Sequence, residues 1–157
     1  MTLSQNPAEH KTFFAHLRKQ RGKHVNALAT DIHEEVFAQT DCLTCANCCK
    51  TISPVFKDKD IERIAKSLKV KNTDFVQTYL RLDEDGDYVL QQTPCPFLGQ
   101  DNYCGIYAVR PKACQSYPHT DKEFQKRLSL TLKNTAVCPA AHQIVERMKE
   151  RLPTWKP

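Results

Sequence analysis

Apolar residues recur at three- and four-residue spacing along much of this chain, a pattern that predicts helices and little strand. Asn6-Pro7-Ala8-Glu9 marks a helix start, with Asn6 as cap, Pro7 in the first position and Glu9 placed to reach back. Phe13, Phe14 and Leu17 give that helix an apolar stripe, and Gly22 is the expected stop. A second helix is predicted from about His24 to Gln39, with Val25, Leu28, Ile32 and Val36 on one face. A third, capped by Asp58, carries Ile61, Ile64, Ala65 and Leu68. A fourth, capped by Asn72 or Thr73, carries Phe75, Val76, Tyr79 and Leu80. Asp85-Gly86 signals a turn, and Asp87 to Gln91 after it a short strand. Leu128, Leu130 and Leu132 alternate over a stretch that fits either strand or helix. Cys138-Pro139 opens a last helix, with Ile144, Val145, Met148 and Leu152 inward.

The helical period is lost in two places, 40 to 56 and 93 to 118. Lys50 to Phe56 reads as extended, with Ser53 held out of helix by Pro54. The second segment is rich in Pro, Gly, Cys and Tyr. Seven of the eight cysteines fall in these two segments. Irregular backbone in a compact domain needs something other than its own hydrogen-bond ladder to hold it, and metal–thiolate bonds can do so.

Composition makes that reading stronger. A chain of 157 residues with 40% hydrophobic content can build a core without disulfides, so eight cysteines ask for another explanation. The first residues are polar and lead into charge, and no apolar run is long enough to cross a bilayer. A cytoplasmic protein is expected, with its thiols reduced and available for metal or redox chemistry, and with no membrane partner. The formal charge of +5 is a mild excess on a soluble surface. Lys11, Arg18, Lys19, Arg21 and Lys23 form the nearest approach to a basic patch, too little to point to nucleic acid.

Two thiolates separated by two residues can face one ion, as a zinc knuckle or one side of an iron–sulfur cluster. Here Cys42, Cys45 and Cys48 repeat the spacing at once, and Cys49 follows directly. A three-cysteine run with a remote fourth ligand is a ferredoxin habit, which leans towards iron–sulfur and leaves zinc open. Adjacent side chains are expected to diverge, so Cys48 and Cys49 should serve two centres or different sides of one cluster. Cys42, Cys45 and Cys48 would share one centre with a remote cysteine. Cys49 would join others among Cys95, Cys104, Cys114 and Cys138. Cys138, just before a helix, fits an inert buried thiol equally well. Arg110 could donate to thiolates or pair with Asp41, and Tyr107 and Tyr117 could pack over the site. His119 is a candidate further ligand, and His33 is expected to pack rather than ligate.

Four separated motifs carry a family likeness. Cys42-x-x-Cys45-x-x-Cys48-Cys49 is followed in order by Pro94-Cys95-Pro96-Phe97-Leu98, Cys104-Gly105-Ile106-Tyr107, and Arg110-Pro111-x-x-Cys114 with Tyr117-Pro118. Together they resemble the YkgJ-like CxxCxxCC family, whose members are described as zinc- or iron-chelating proteins. The resemblance spans about residues 40 to 120 and implies a cysteine-cluster metal site without implying a reaction.

The expected fold is therefore mainly α with a small β element, a single compact domain over 1–157 built round a cysteine-ligated metal site in irregular loops. It would comprise an N-terminal helical pair (1–39), a cysteine-cluster core (40–120) and a C-terminal helical segment (121–157). The expected cofactor is zinc or an iron–sulfur cluster, serving electron transfer, redox sensing or metal handling with a protein or redox partner. A structural zinc module and a metal-dependent enzyme are the alternatives. No paired carboxylates, phosphate loop or nucleotide fingerprint supports an enzyme.

Overall fold

The computed structural model describes residues 6–157, and the fold is mostly helical with one small two-stranded antiparallel sheet. In chain order come α1 (Pro7–Arg18), α2 (Gly22–Phe37), α3 (Cys42–Cys45), α4 (Asn47–Thr51), α5 (Asp58–Leu68) and α6 (Asn72–Tyr79). The strands β1 (Leu80–Leu82) and β2 (Tyr88–Leu90) follow, then α7 (Lys112–Ser116), α8 (Leu128–Asn134) and α9 (Pro139–Arg151). Single 3-10 turns precede α7 and α8, at Tyr107–Val109 and Phe124–Arg127. The chain folds into two compact units, one formed by the chain up to Asp41 with Pro118–Pro157, the other by Cys42–Tyr117.

The first unit is a helical packing round aromatic residues. Asn6 caps α1, its side-chain oxygen accepting the Glu9 N–H at 3.3 Å, and Pro7 needs no donor at a position that has no partner for one. The Glu9 carboxylate lies 3.1 Å from Lys149. Gly22 opens α2 rather than stopping α1, which ends at Arg18 four residues earlier. Phe13, Phe14, Leu17, Val25, Ile32 and Val36 are buried with Phe124, Leu128, Ile144, Val145 and Met148 in one core. At about 1.5–3 kcal/mol for each fully buried large apolar side chain, this stripe-on-stripe packing is what holds the helices. The Leu128 region is helix, with Leu128 buried and Leu130 on the solvent side.

The second unit carries the cysteine segments. Its core is Phe56, Ile61, Ile64, Ala65, Phe75, Leu80, Leu90 and Ile106. Lys57, not Asp58, occupies the cap of α5. Its N–H is accepted by the Asp60 carboxylate at 3.0 Å, so the acid acts from inside the first turn. Lys71 likewise stands where Asn72 or Thr73 was expected as cap. The turn at Asp83–Asp87 closes a hairpin, with Gly86 at φ 78° where other residues are strained, and β1 pairs with β2 from Leu80↔Leu90 to Leu82↔Tyr88. Helical spacing had placed Leu80 in α6. It opens β1 opposite Leu90 instead: its N–H still donates to the Val76 carbonyl, while its carbonyl accepts from Gln91 Nε2 at 2.8 Å and the Gln91 N–H donates across to the Tyr79 carbonyl at 2.9 Å. Phe56 extends this sheet by a bridge to Tyr88, with its N–H donating to the Tyr88 carbonyl at 2.8 Å.

Candidate metal centre

The cysteine run is not irregular, as its loss of period implied. It forms two single helical turns, α3 and α4, joined at Ala46. Ala46 is buried and left-handed, at φ 53° and ψ 10°, a conformation that costs a non-glycine residue about 1 kcal/mol or more. Turns this short contribute one or two hydrogen bonds each, such as Ala46 N–H to the Cys42 carbonyl at 3.2 Å. They depend on their surroundings to persist. Cys42 is exposed, while Cys45, Cys48 and Cys49 are half-buried.

Cys49 links this run to the next motif. The Cys95 N–H donates to the Cys49 carbonyl at 2.8 Å. The Cys95 sulfur in turn accepts the backbone N–H groups of Phe97 and Leu98, and the Cys104 sulfur accepts that of Ile106. Such N–H···S bonds favour the thiolate over the thiol. Around them the chain folds back on itself, with Gly99 N–H on the Tyr103 carbonyl and Gly105 N–H on the Phe97 carbonyl, both at 2.8 Å. Phe97 anchors this loop by stacking on Phe75 at 6.1 Å and lying 4.8 Å from the Tyr79 ring.

Cys114 is positioned by a buried clamp that sequence reading missed. Asp60, 3% exposed, accepts from Arg63 at 2.7 Å, from the Lys57 N–H at 3.0 Å and from the Lys112 N–H at 3.1 Å. Arg63 spans onward to the Val109 and Arg110 carbonyls, at 3.2 and 2.9 Å. The pair thereby ties α5 to the segment that enters α7, where Cys114 sits. An Asp and an Arg three apart in a helix are the only sequence signal for it, and such pairs are usually solvent-facing. Arg110 lies with its guanidinium carbon 3.8 Å from the centre of the Tyr107 ring and donates to the Tyr107 carbonyl at 2.7 Å. Its charge acts on Cys104 and Cys114, favouring their thiolates.

The thiols share one electrostatic problem. A hydrogen bond from Cys48, helped by its own N–H, lowers Cys49 to about 7 against the opposing effect of burial. Burial raises Cys95 and Cys104 against the N–H bonds to their sulfurs, with the charge of Cys49 adding to it, and burial with the charges of Cys49, Cys95 and Cys104 pushes Cys114 up to about 12. Cys49, Cys95, Cys104 and Cys114 thus come within electrostatic reach of each other although 65 residues separate the first from the last. The Cys48–Cys49 bond also corrects the expectation that neighbouring sulfurs diverge. A soft divalent cation reverses these penalties, since thiolates disfavoured beside one another become favourable around it.

Residues 41–139, well over half of the chain, match the family described as CxxCxxCC, "putative zinc- or iron-chelating domain". The chain belongs to the CxxCxxCC family. No curated protein and no solved structure matches it. Of the family's matched span, Cys42 to Cys114 lie in the second unit and Cys138 in the first. The Cys138 sulfur caps α9 by accepting the Ala141 N–H at 3.4 Å. The two histidines singled out from sequence also belong to the first unit. His33 stacks on Phe37 at 4.4 Å with its Nδ1 2.8 Å from the Thr120 hydroxyl. His119 has a left-handed backbone, φ 63°, and its pKa is lowered by burial and by Arg127. Among the described residues, no helix is long and apolar enough to cross a membrane.

Proposed function

We propose that the chain binds metal in its second unit, with Cys49, Cys95, Cys104 and Cys114 as one thiolate set and Cys42, Cys45 and Cys48 as the other ligands. The observation that carries this reading is that three sequence-distant thiols, Cys95, Cys104 and Cys114, come within electrostatic reach of Cys49. Ordinary buried cysteines gain nothing from mutual proximity, whereas metal ligands require it. The backbone N–H groups directed at Cys95 and Cys104 support the same role, because outer hydrogen bonds orient and tune ligating sulfurs. With Cys48 and Cys49 in contact, the two sets adjoin, which suits either a polynuclear iron–sulfur cluster or a pair of zinc ions. The centre then serves electron transfer, redox sensing or metal handling in a reducing compartment, with a protein or redox partner. Cys138 is not needed by this ligand set.

The test is anaerobic purification followed by elemental analysis and a visible spectrum. Brown protein whose absorption bleaches on reduction assigns iron–sulfur; colourless protein with stoichiometric zinc assigns zinc. Cys49→Ser should lose most of the metal. Full retention in that variant refutes the ligand set.

A further inference from the structure

A second group of metal-ligand side chains lies outside both the cysteine segments and the residues matched by the family. His10, on α1, is 4% exposed, and His142 and Glu146 stand four residues apart on one face of α9. His10 Nε2 lies 2.8 Å from Glu146 Oε1, and the His10 and His142 ring centres are 5.4 Å apart. One ligand atom from each of the three residues lies within 4.8 Å of the other two. We propose that His10, His142 and Glu146 form a separate zinc site in the first unit, independent of the cysteine centre.

The donor set fits the ion. Two imidazoles and a carboxylate, with a fourth position left for water or substrate, are a zinc ligand combination. Bonds of about 2.0–2.1 Å in a tetrahedron put ligand atoms roughly 3.4 Å apart. The present separations run from 2.8 Å up to 4.8 Å and bracket that value, so side-chain rotation suffices. An ordinary ion pair would need only His10 and Glu146, whereas His142 brings a third donor to the same point. Glu146, 41% exposed in its side chain, gives the ion a way in. Lys149 is the competing cation, 2.9 Å from Glu146 Oε1 and 3.1 Å from Glu9 Oε1. Arrival of zinc would leave Lys149 on Glu9, so the counter-charge for its displacement is already in place.

The experiment is a zinc titration of the purified, metal-loaded chain carrying ¹⁵N-labelled histidine, followed by NMR of the ring nitrogens and by zinc content after dialysis. The His10 and His142 rings report this site, because the proposed cysteine centre contains no histidine, and the other four histidines serve as references within the same chain. The expected result is movement of the His10 and His142 ring signals at one added zinc. His142→Gln and Glu146→Gln should each weaken that zinc by about 100-fold or more. Lys149→Met should tighten it, the opposite of what a purely structural lysine would do. Ring signals of the wild-type chain that do not move with zinc overturn the proposal, whatever the variants do.

Discussion

Asp60→Ala removes the acceptor at the centre of the clamp that sets the Cys114 segment. Three donors lose their partner: the Arg63 guanidinium at 2.7 Å and the N–H groups of Lys57 and Lys112 at 3.0 and 3.1 Å. Removing one member of a buried pair costs about 3–5 kcal/mol. Arg63 is 38% exposed in its side chain and keeps its bonds to the Val109 and Arg110 carbonyls, which places this case at the low end. About 3 kcal/mol corresponds to roughly a 100-fold rise in opening of the segment. Hydrogen exchange of the peptide covering 107–117 reads that opening directly. Protection within about threefold of the parent chain would refute the reasoning. The pH dependence has a definite sign. Burial alone would raise the Asp60 carboxyl, but the Lys57 N–H, Arg63 and the Lys112 N–H outweigh it and hold it below its ordinary 3.8. The clamp therefore contributes fully above pH 3.8, and its contribution is lost as pH falls through the lower folded value. Asp60→Asn should remove that acid dependence.

Further outcomes follow from the same geometry. In reduced, metal-free protein, the hydrogen bond from Cys48 favours the Cys49 thiolate, while burial and the neighbouring thiolates disfavour that of Cys114. Iodoacetamide should therefore label Cys49 ahead of Cys114, as mapped by peptide mass spectrometry; equal rates would contradict the assigned electrostatics. Cys138→Ala should cost about 1 kcal/mol of stability through the lost α9 cap while leaving the metal content unchanged, checked by urea unfolding and elemental analysis. Phe75→Ala should cost about 3–5 kcal/mol in chemical unfolding, and loosen Cys95 through Phe97. On the proposed ligand set, a strong chelator should raise hydrogen exchange across 42–51, because turns as short as α3 and α4 would lose the metal that holds them.

The helices and their buried faces were legible in the sequence because apolar periodicity is a local property. α1, α2, α5 and α9 bury most of the residues that their spacing predicts, with Leu28 and Leu68 half-buried at the core edges. Cap positions slipped by a residue or more, since a cap is decided by which side chain reaches the orphan N–H, as Asp60 does for Lys57. β1 was hidden, because its three residues gain a partner only once the hairpin folds back. The cysteines announced their chemistry by type and spacing alone, and the family match bears that out. Which thiols lie near one another was not legible. That depends on the Cys95–Cys49 backbone bond, the Phe97 stack and the Asp60–Arg63 clamp, all contacts between residues far apart in the chain. The same holds for His10, whose meeting with His142 and Glu146 exists only where α1 packs on α9. Sequence determined which ligating atoms the protein possesses; folding decided which share a neighbourhood, because proximity across long loops is fixed by the packing of the whole unit and not by any local pattern.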